Sequence, residues 1–114
     1  MRIRGFGRVF IGDNFHSGEG CLILTSNHNY EGESVPYDAT NISKNVQIGN
    51  NVWIGSRVII LPGAVLGEGC IIQAGSVVAG HIPPCSIAGG HPAKVFAERN
   101  REHYEKMVQE RRFF

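Results

Sequence analysis

The chain has 114 residues, room for one domain. With 42% hydrophobic and 18% charged residues its composition is that of an ordinary soluble domain, and a formal charge of +1 gives no electrostatic case for nucleic acid or an anionic membrane. No apolar run approaches the ~20 residues of a membrane span, no signal-peptide core follows the basic start MRIRGFGRVF, and an odd count of three cysteines argues against a disulfide framework, so the expected address is cytoplasmic.

From Gly5 the chain reads in blocks of six: GFGRVF, IGDNFH, SGEGCL, ILTSNH. The pattern is weak here, because Gly5 and Ser17 hold the first position, where Ile11 and Ile23 stand in the other two blocks. It then breaks. Residues 29–41 form a 13-residue insertion with no period, polar almost throughout. Loops of that length are commonly functional or disordered. Tyr30 and Tyr37 favour an ordered loop, and Gly32 and Pro36 a turn within it.

From Ile42 the blocks resume as ISKNVQ, IGNNVW, IGSRVI, ILPGAV, LGEGCI, IQAGSV, VAGHIP. Their first positions are Ile42, Ile48, Ile54, Ile60, Leu66, Ile72 and Val78, all large and aliphatic. The fifth positions, Val46, Val52, Ala64, Cys70 and Ser76 among them, are mostly small, and glycine often holds the second. A period of six fits neither a helix nor an alternating strand. It fits a chain that turns a corner every six residues, three blocks to a triangular coil, with the first residue pointing inward and the fifth filling the corner. Coils stacked about 4.8 Å apart then bury one continuous apolar column. In this frame Cys21 and Cys70 share a corner with Val52 between them, two coils apart and too distant for a disulfide, so both are small buried fillers. Trp53, at a sixth position, faces outward as a groove or subunit contact.

After Pro92 the composition changes. FAERNREHYEKMVQERRFF holds nine charged residues between Glu98 and Arg112, and Tyr104, Met107 and Val108 make a helical face. The expected division is a repeat domain over 1–96, with its loop at 29–41, and a C-terminal helix over 97–114. The basic residues of that helix are balanced by glutamates and read as a solvated face.

IGNNVWIGSRVIILPGAVLGEGCIIQAGSVV followed by IPPCSIAGGHPAK resembles the hexapeptide-repeat acyltransferases, in particular the galactoside, maltose, polysaccharide and xenobiotic O-acetyltransferases. The resemblance covers nearly the whole chain. It implies an all-β solenoid, a left-handed parallel β-helix with one extended loop and a C-terminal helix; the period alone does not give the hand. It also implies a homotrimer with active sites in the clefts between neighbouring β-helices. Relatives usually carry further coils or a helical cap before the segment matching Gly5, whereas Met1 stands almost at the first coil, leaving an open edge of the kind proteins usually cover.

By the same resemblance, His28 in TSNHNY matches the catalytic histidine that precedes the loop. The chemistry suits the residue: acetyl transfer from a thioester to a hydroxyl needs a base for the hydroxyl proton, and imidazole serves near neutral pH without an acyl-enzyme. Asp38, Glu31, Glu33 or a backbone carbonyl could orient its ring. Asn27, read as a fifth-position inward residue, either fills a corner or helps hold the site. Tyr30 and Tyr37 are the loop's candidates for acceptor contact. Acetyl-CoA is the implied donor. Ser56 and Ala74 match small positions that let its pantetheine approach the main chain, and Lys94 matches a basic position near the nucleotide. Ala79 and Gly80 stand where relatives commonly have Thr-Lys, so only their backbone is left to contact the donor, with His81 beside it.

The expected activity is acetyl-CoA-dependent O-acetyl transfer to a hydroxyl of a sugar, glycan precursor or similar small molecule. The alternatives are a non-catalytic trimeric scaffold, N-acetylation of an amino-sugar, and a zinc carbonic-anhydrase-like enzyme. The last needs a closely spaced histidine pair that His16, His28, His81, His91 and His103 do not form, and no metal site is expected.

Overall fold

A computed structural model describes all 114 residues. Numbered in chain order, the strands are β1 (Arg2–Arg4), β2 (Val9–Ile11), β3 (His16–Ser17), β4 (Leu22–Leu24), β5 (Ser26–His28), β6 (Asn41–Ser43), β7 (Val46–Ile48), β8 (Trp53–Ile54), β9 (Ile59–Ile60), β10 (Val65–Leu66), β11 (Ile71–Ile72), β12 (Val77–Val78), β13 (His81–Ile82), β14 (Ser86–Gly90) and β15 (Ala93–Glu98), followed by helix α1 (Arg101–Gln109). The six-residue period winds them into a three-sided prism, the left-handed parallel β-helix, and the molecule measures 55 × 24 × 22 Å.

The first face stacks β1, β4, β9 and β12, the second β2, β7, β10 and β13, and the third β3, β8, β11 and β14, all parallel. One residue of each short strand points inward. On the first face Ile23, Ile60 and Val78 lie in register, on the second Ile48, Leu66 and Ile82, and on the third Ile54, Ile72 and Ala88; all nine are buried. Each large aliphatic side chain so buried contributes roughly 1.5–3 kcal/mol. The fifth-position residues Val46, Val52, Val58, Ala64, Cys70 and Ser76 fill the corners and are also buried. Main-chain bonds such as Gly49 N to Leu66 O (2.9 Å) and Gly67 N to Ile82 O (2.8 Å) tie one coil to the next. In the first coil Ile3 and Ile11, which continue these columns, are 52% and 40% exposed.

Three expectations about the repeat need correction. The interruption is wider than residues 29–41. The chain leaves the prism at Ser26 and returns at Ser43, with β5 and β6 paired antiparallel through Ser26–Ser43, Asn27–Ile42 and His28–Asn41. ISKNVQ is therefore no prism edge, and Ile42 is 47% exposed on the returning limb. Because ISKNVQ adds no edge, every later block stands one edge earlier than a continuous count of six places it, and Cys21 and Cys70 occupy different corners. Cys21 stands in register with Val58, and Cys70 with Val52. Both are free thiols, as is Cys85, and burial pushes the Cys70 thiol up to about 12. The last coil is also short. After Val78 the next inward residue is Ile82, reached through Gly80 at φ +74°, so the six-residue block VAGHIP is cut by a tighter corner.

At the far end β15 turns back antiparallel along β14, extending the third face. Ala97 and Glu98 belong to this strand, so the helix begins later than residue 97. Asn100 caps it, its side chain accepting from His103 N at 2.9 Å. Tyr104 is buried against the prism, with Met107 and Val108 half-buried beside it. The Tyr104 hydroxyl donates to Glu68 Oε2 (3.0 Å) and accepts from Asn51 Nδ2 (3.1 Å), and Arg99 Nε donates to Gly69 O (2.6 Å).

Candidate active site

The excursion is built from its root outward. Thr25, fully buried, donates through Oγ1 to Arg4 O (3.2 Å) and accepts from Gly7 N (3.1 Å). Ser26 Oγ accepts from Phe6 N (2.8 Å) and shares a hydrogen bond with Ser43 Oγ (2.7 Å). Both limbs are thereby fastened to each other and to the first coil. Beyond them the ribbon stands largely exposed, Val35 and Ile42 included.

The loop that closes the ribbon is organised by Asp38. Its carboxylate accepts from Glu33 N (3.1 Å), Thr40 N (2.8 Å) and the Thr40 hydroxyl. The Thr40 hydroxyl bond, with the two backbone bonds, holds this carboxyl below its ordinary value. A Cβ at Gly32 would collide with the same carboxylate, which is why glycine stands there. Asn29 joins the two sides, its Nδ2 donating to Thr40 Oγ1 (3.2 Å) and its carbonyl accepting from Asp38 N (3.2 Å). None of this was visible in the sequence beyond the short spacing Asp-x-Thr, a common local turn former.

His28 ends β5, exposed, with its main chain opposite Asn41. Its ring lies flat on Tyr37, centroids 3.8 Å apart and planes 5° from parallel. The expectation that Asp38, Glu31 or Glu33 orients it is not met within the chain: Asp38 is committed to Thr40 and Glu33 N, and the imidazole makes no hydrogen bond to its own chain. Asn27 does not point inward. Pairing with Ile42 lifts it off the prism, and it is exposed. Tyr30 is 73% exposed.

The other candidates lie elsewhere. Ser56 and Ala74 follow the third face on successive coils, at the corner leading to the first face, and both are exposed. The corner is tightly stacked: Gly75 N donates to Ser56 O at 2.9 Å, and a Cβ at Gly55 would stand 2.7 Å from Ala74 N. Ala79 and Gly80 lie at the next corner, between the first and second faces, where a side chain on Gly80 would meet only open space. That is the corner from which the ribbon springs, two coils earlier. Lys94 is exposed on β15 opposite Gly89. Trp53 does face outward, 53% exposed on β8 beside His16 of β3. With the tail and α1 these two residues line a cleft of about 410 Å³ that includes Arg99, His103 and Phe114. One chain thus presents His28 and the Ser56–Ala74 column on different edges of the prism. No three metal-ligating side chains gather within it.

Residues 45–80 match a family model described as bacterial transferase hexapeptide (six repeats). Among solved structures, a galactoside acetyltransferase in complex with coenzyme A is 36% identical over 83% of this chain and 48% of its own, with a TM-score of 0.73. A hexapeptide-repeat acetyltransferase from Vibrio cholerae O1 biovar eltor, complexed with acetyl coenzyme A, is 31% identical over 79% of this chain and 49% of its own (TM-score 0.70). A maltose O-acetyltransferase from Clostridium difficile 630 is 29% identical over 85% of this chain and 65% of its own (TM-score 0.62). The chain spans about half the length of the first two. No curated protein matches it significantly.

Proposed function

We propose that this chain, a hexapeptide-repeat protein with the acyltransferase fold, is an acetyl-CoA-dependent O-acetyltransferase acting on a sugar, glycan precursor or similar hydroxyl compound, with His28 as general base. The observation that carries the reading is the exposed imidazole at the root of an ordered loop, on a fold whose relatives were solved with coenzyme A bound. The donor supplies an acetyl thioester. The acceptor oxygen bonds to the acetyl carbon as the carbon–sulfur bond breaks. His28 takes the hydroxyl proton and returns it to the leaving thiolate, so the base is regenerated.

Ser56 and Ala74 fit such a donor. They form a column of small, exposed residues on one corner, so a pantetheine chain can lie against the main chain. Ala79 and Gly80 offer backbone only, and Lys94 would answer the nucleotide end. Asn27 and Tyr30 face the acceptor side. Because the base and the Ser56–Ala74 column occupy different prism edges, the site needs two chains. This supports a homotrimer in which the ribbon of one protomer reaches the cleft of the next, with Trp53 at the contact. Three free thiols and a coenzyme A donor favour the cytoplasm.

The test is calorimetry with acetyl-CoA and its desulfo analogue, with mass measured alongside by light scattering. Saturable binding by a trimer is the expected result. His28→Ala should bind donor as tightly as the native chain while losing transfer by about 10²–10⁴-fold. The bare Ala79–Gly80 corner favours one other reading, a non-catalytic scaffold, and a trimer that ignores acetyl-CoA would establish it.

A further inference from the structure

Of the loop's two tyrosines, the sequence offers both as acceptor contacts. Their surroundings differ. Tyr30 is open, whereas one face of Tyr37 is already covered by His28. We propose that Tyr37 is a positioning residue for the base: its ring, laid flat on the imidazole, fixes the plane in which His28 meets the acceptor hydroxyl. The catalytic half of this inference rests on the reading of His28 as the base.

The geometry leaves little else for that ring to do. The main chain of His28 is fixed by β5, but its side chain turns about two bonds and receives no hydrogen bond from its own chain. A free exposed imidazole would sample several rotamers. At a centroid distance of 3.8 Å and an angle of 5°, the stack leaves one plane. The stack occupies a face of the imidazole and not its nitrogens, and neither nitrogen is bonded within the chain, which leaves one for the acceptor proton and one for a group from solvent or a neighbouring chain. When the imidazole takes the proton, its charge sits over the negative face of the phenol ring, an attractive arrangement.

Tyr37 is itself held. Its carbonyl accepts from Ser34 Oγ at 2.9 Å, and the next residue is the Asp38 hub that ties Glu33, Thr40 and Asn29 together. The network thus converges on the residue that touches the base. Nothing in it contacts the Tyr37 hydroxyl, so the ring rather than the oxygen is the working part.

The test uses full-length protein with isotope-labelled histidine. The His28 ring signals are identified by their loss in His28→Gln. Their ring-current shift should persist in Tyr37→Phe and vanish in Tyr37→Leu. Turnover is followed as thiol release from acetyl-CoA, with water standing in for the acceptor. Tyr37→Leu should lose about tenfold or more in turnover at unchanged acetyl-CoA affinity, and Tyr37→Phe should restore it. An unmoved His28 signal in Tyr37→Leu overturns the positioning role, as does a Tyr37→Phe variant as slow as Tyr37→Leu. Undiminished turnover in His28→Gln overturns the base reading instead, and the spectra of the Tyr37 variants separate that failure from this one.

Discussion

Asp38 shows how much a single half-buried side chain can organise when its bonds are local. Its three acceptor bonds require the carboxylate, since a protonated group would lose acceptor capacity toward Glu33 and Thr40. The folded-state value is depressed, so the loop's stabilisation is complete above the ordinary carboxylate value and disappears as pH falls through the lower, folded one. Between pH 5 and 8 the three bonds to Asp38 should therefore be indifferent to pH. Below about pH 4 the amide signals of Glu33 and Thr40 should titrate together. Independent titrations, or a common one above pH 5, would contradict the shared hub. Asp38→Ala should free the loop at every pH and, through Tyr37, the ring of His28.

At the scale of elements, α1 is the part least tied to the repeat. It is held by the Asn100 cap, by Tyr104 bonded to Asn51 and Glu68, and by Arg99 on Gly69, whose guanidinium also lies 5.4 Å from the centre of the Tyr104 ring. Burial raises the Tyr104 phenol, which keeps it a neutral donor through the physiological range. Tyr104→Phe should cost about 1 kcal/mol, and Asn100→Ala about as much, read as shifts in the denaturation midpoint. The helical face was legible because 3.6-residue spacing is a local signal. The prism was legible for the same reason, from Ile48 to Val78. The β5–β6 ribbon was not. Antiparallel pairing leaves no mark at a period of six, and Ile42 falls six residues before Ile48, so an exposed residue imitates a core one. The shortened corner before Ile82 was hidden likewise, since VAGHIP keeps its length while the chain turns early. The positions of His28, Ser56 and Ala74 came from motif resemblance, whereas the Tyr37 stack and the Asp38 hub depend on loop geometry that no pattern encodes.

The whole molecule behaves as a stack in which each coil is braced by its neighbours. The cost of truncating an inward residue should therefore follow how fully its neighbours bury it. Ile60→Ala, in a position with no exposure and a coil on either side, should lose about 2–5 kcal/mol. Ile11→Ala, 40% exposed in the first coil, should lose under about 1 kcal/mol. Equal losses in urea denaturation would mean that the first coil is covered in the assembled protein. The ribbon has a different consequence. It departs and re-enters at two residues, Ser26 and Ser43, that hydrogen-bond to each other. What lies between them adds nothing to the registers of the three faces, and lengthening a flexible loop twofold costs only about 0.6 kcal/mol. The segment is in effect a cassette. Exchanged for one of another length or sequence, it should leave the alignment of the prism as it is, so the excursion and the scaffold are free to change independently of one another.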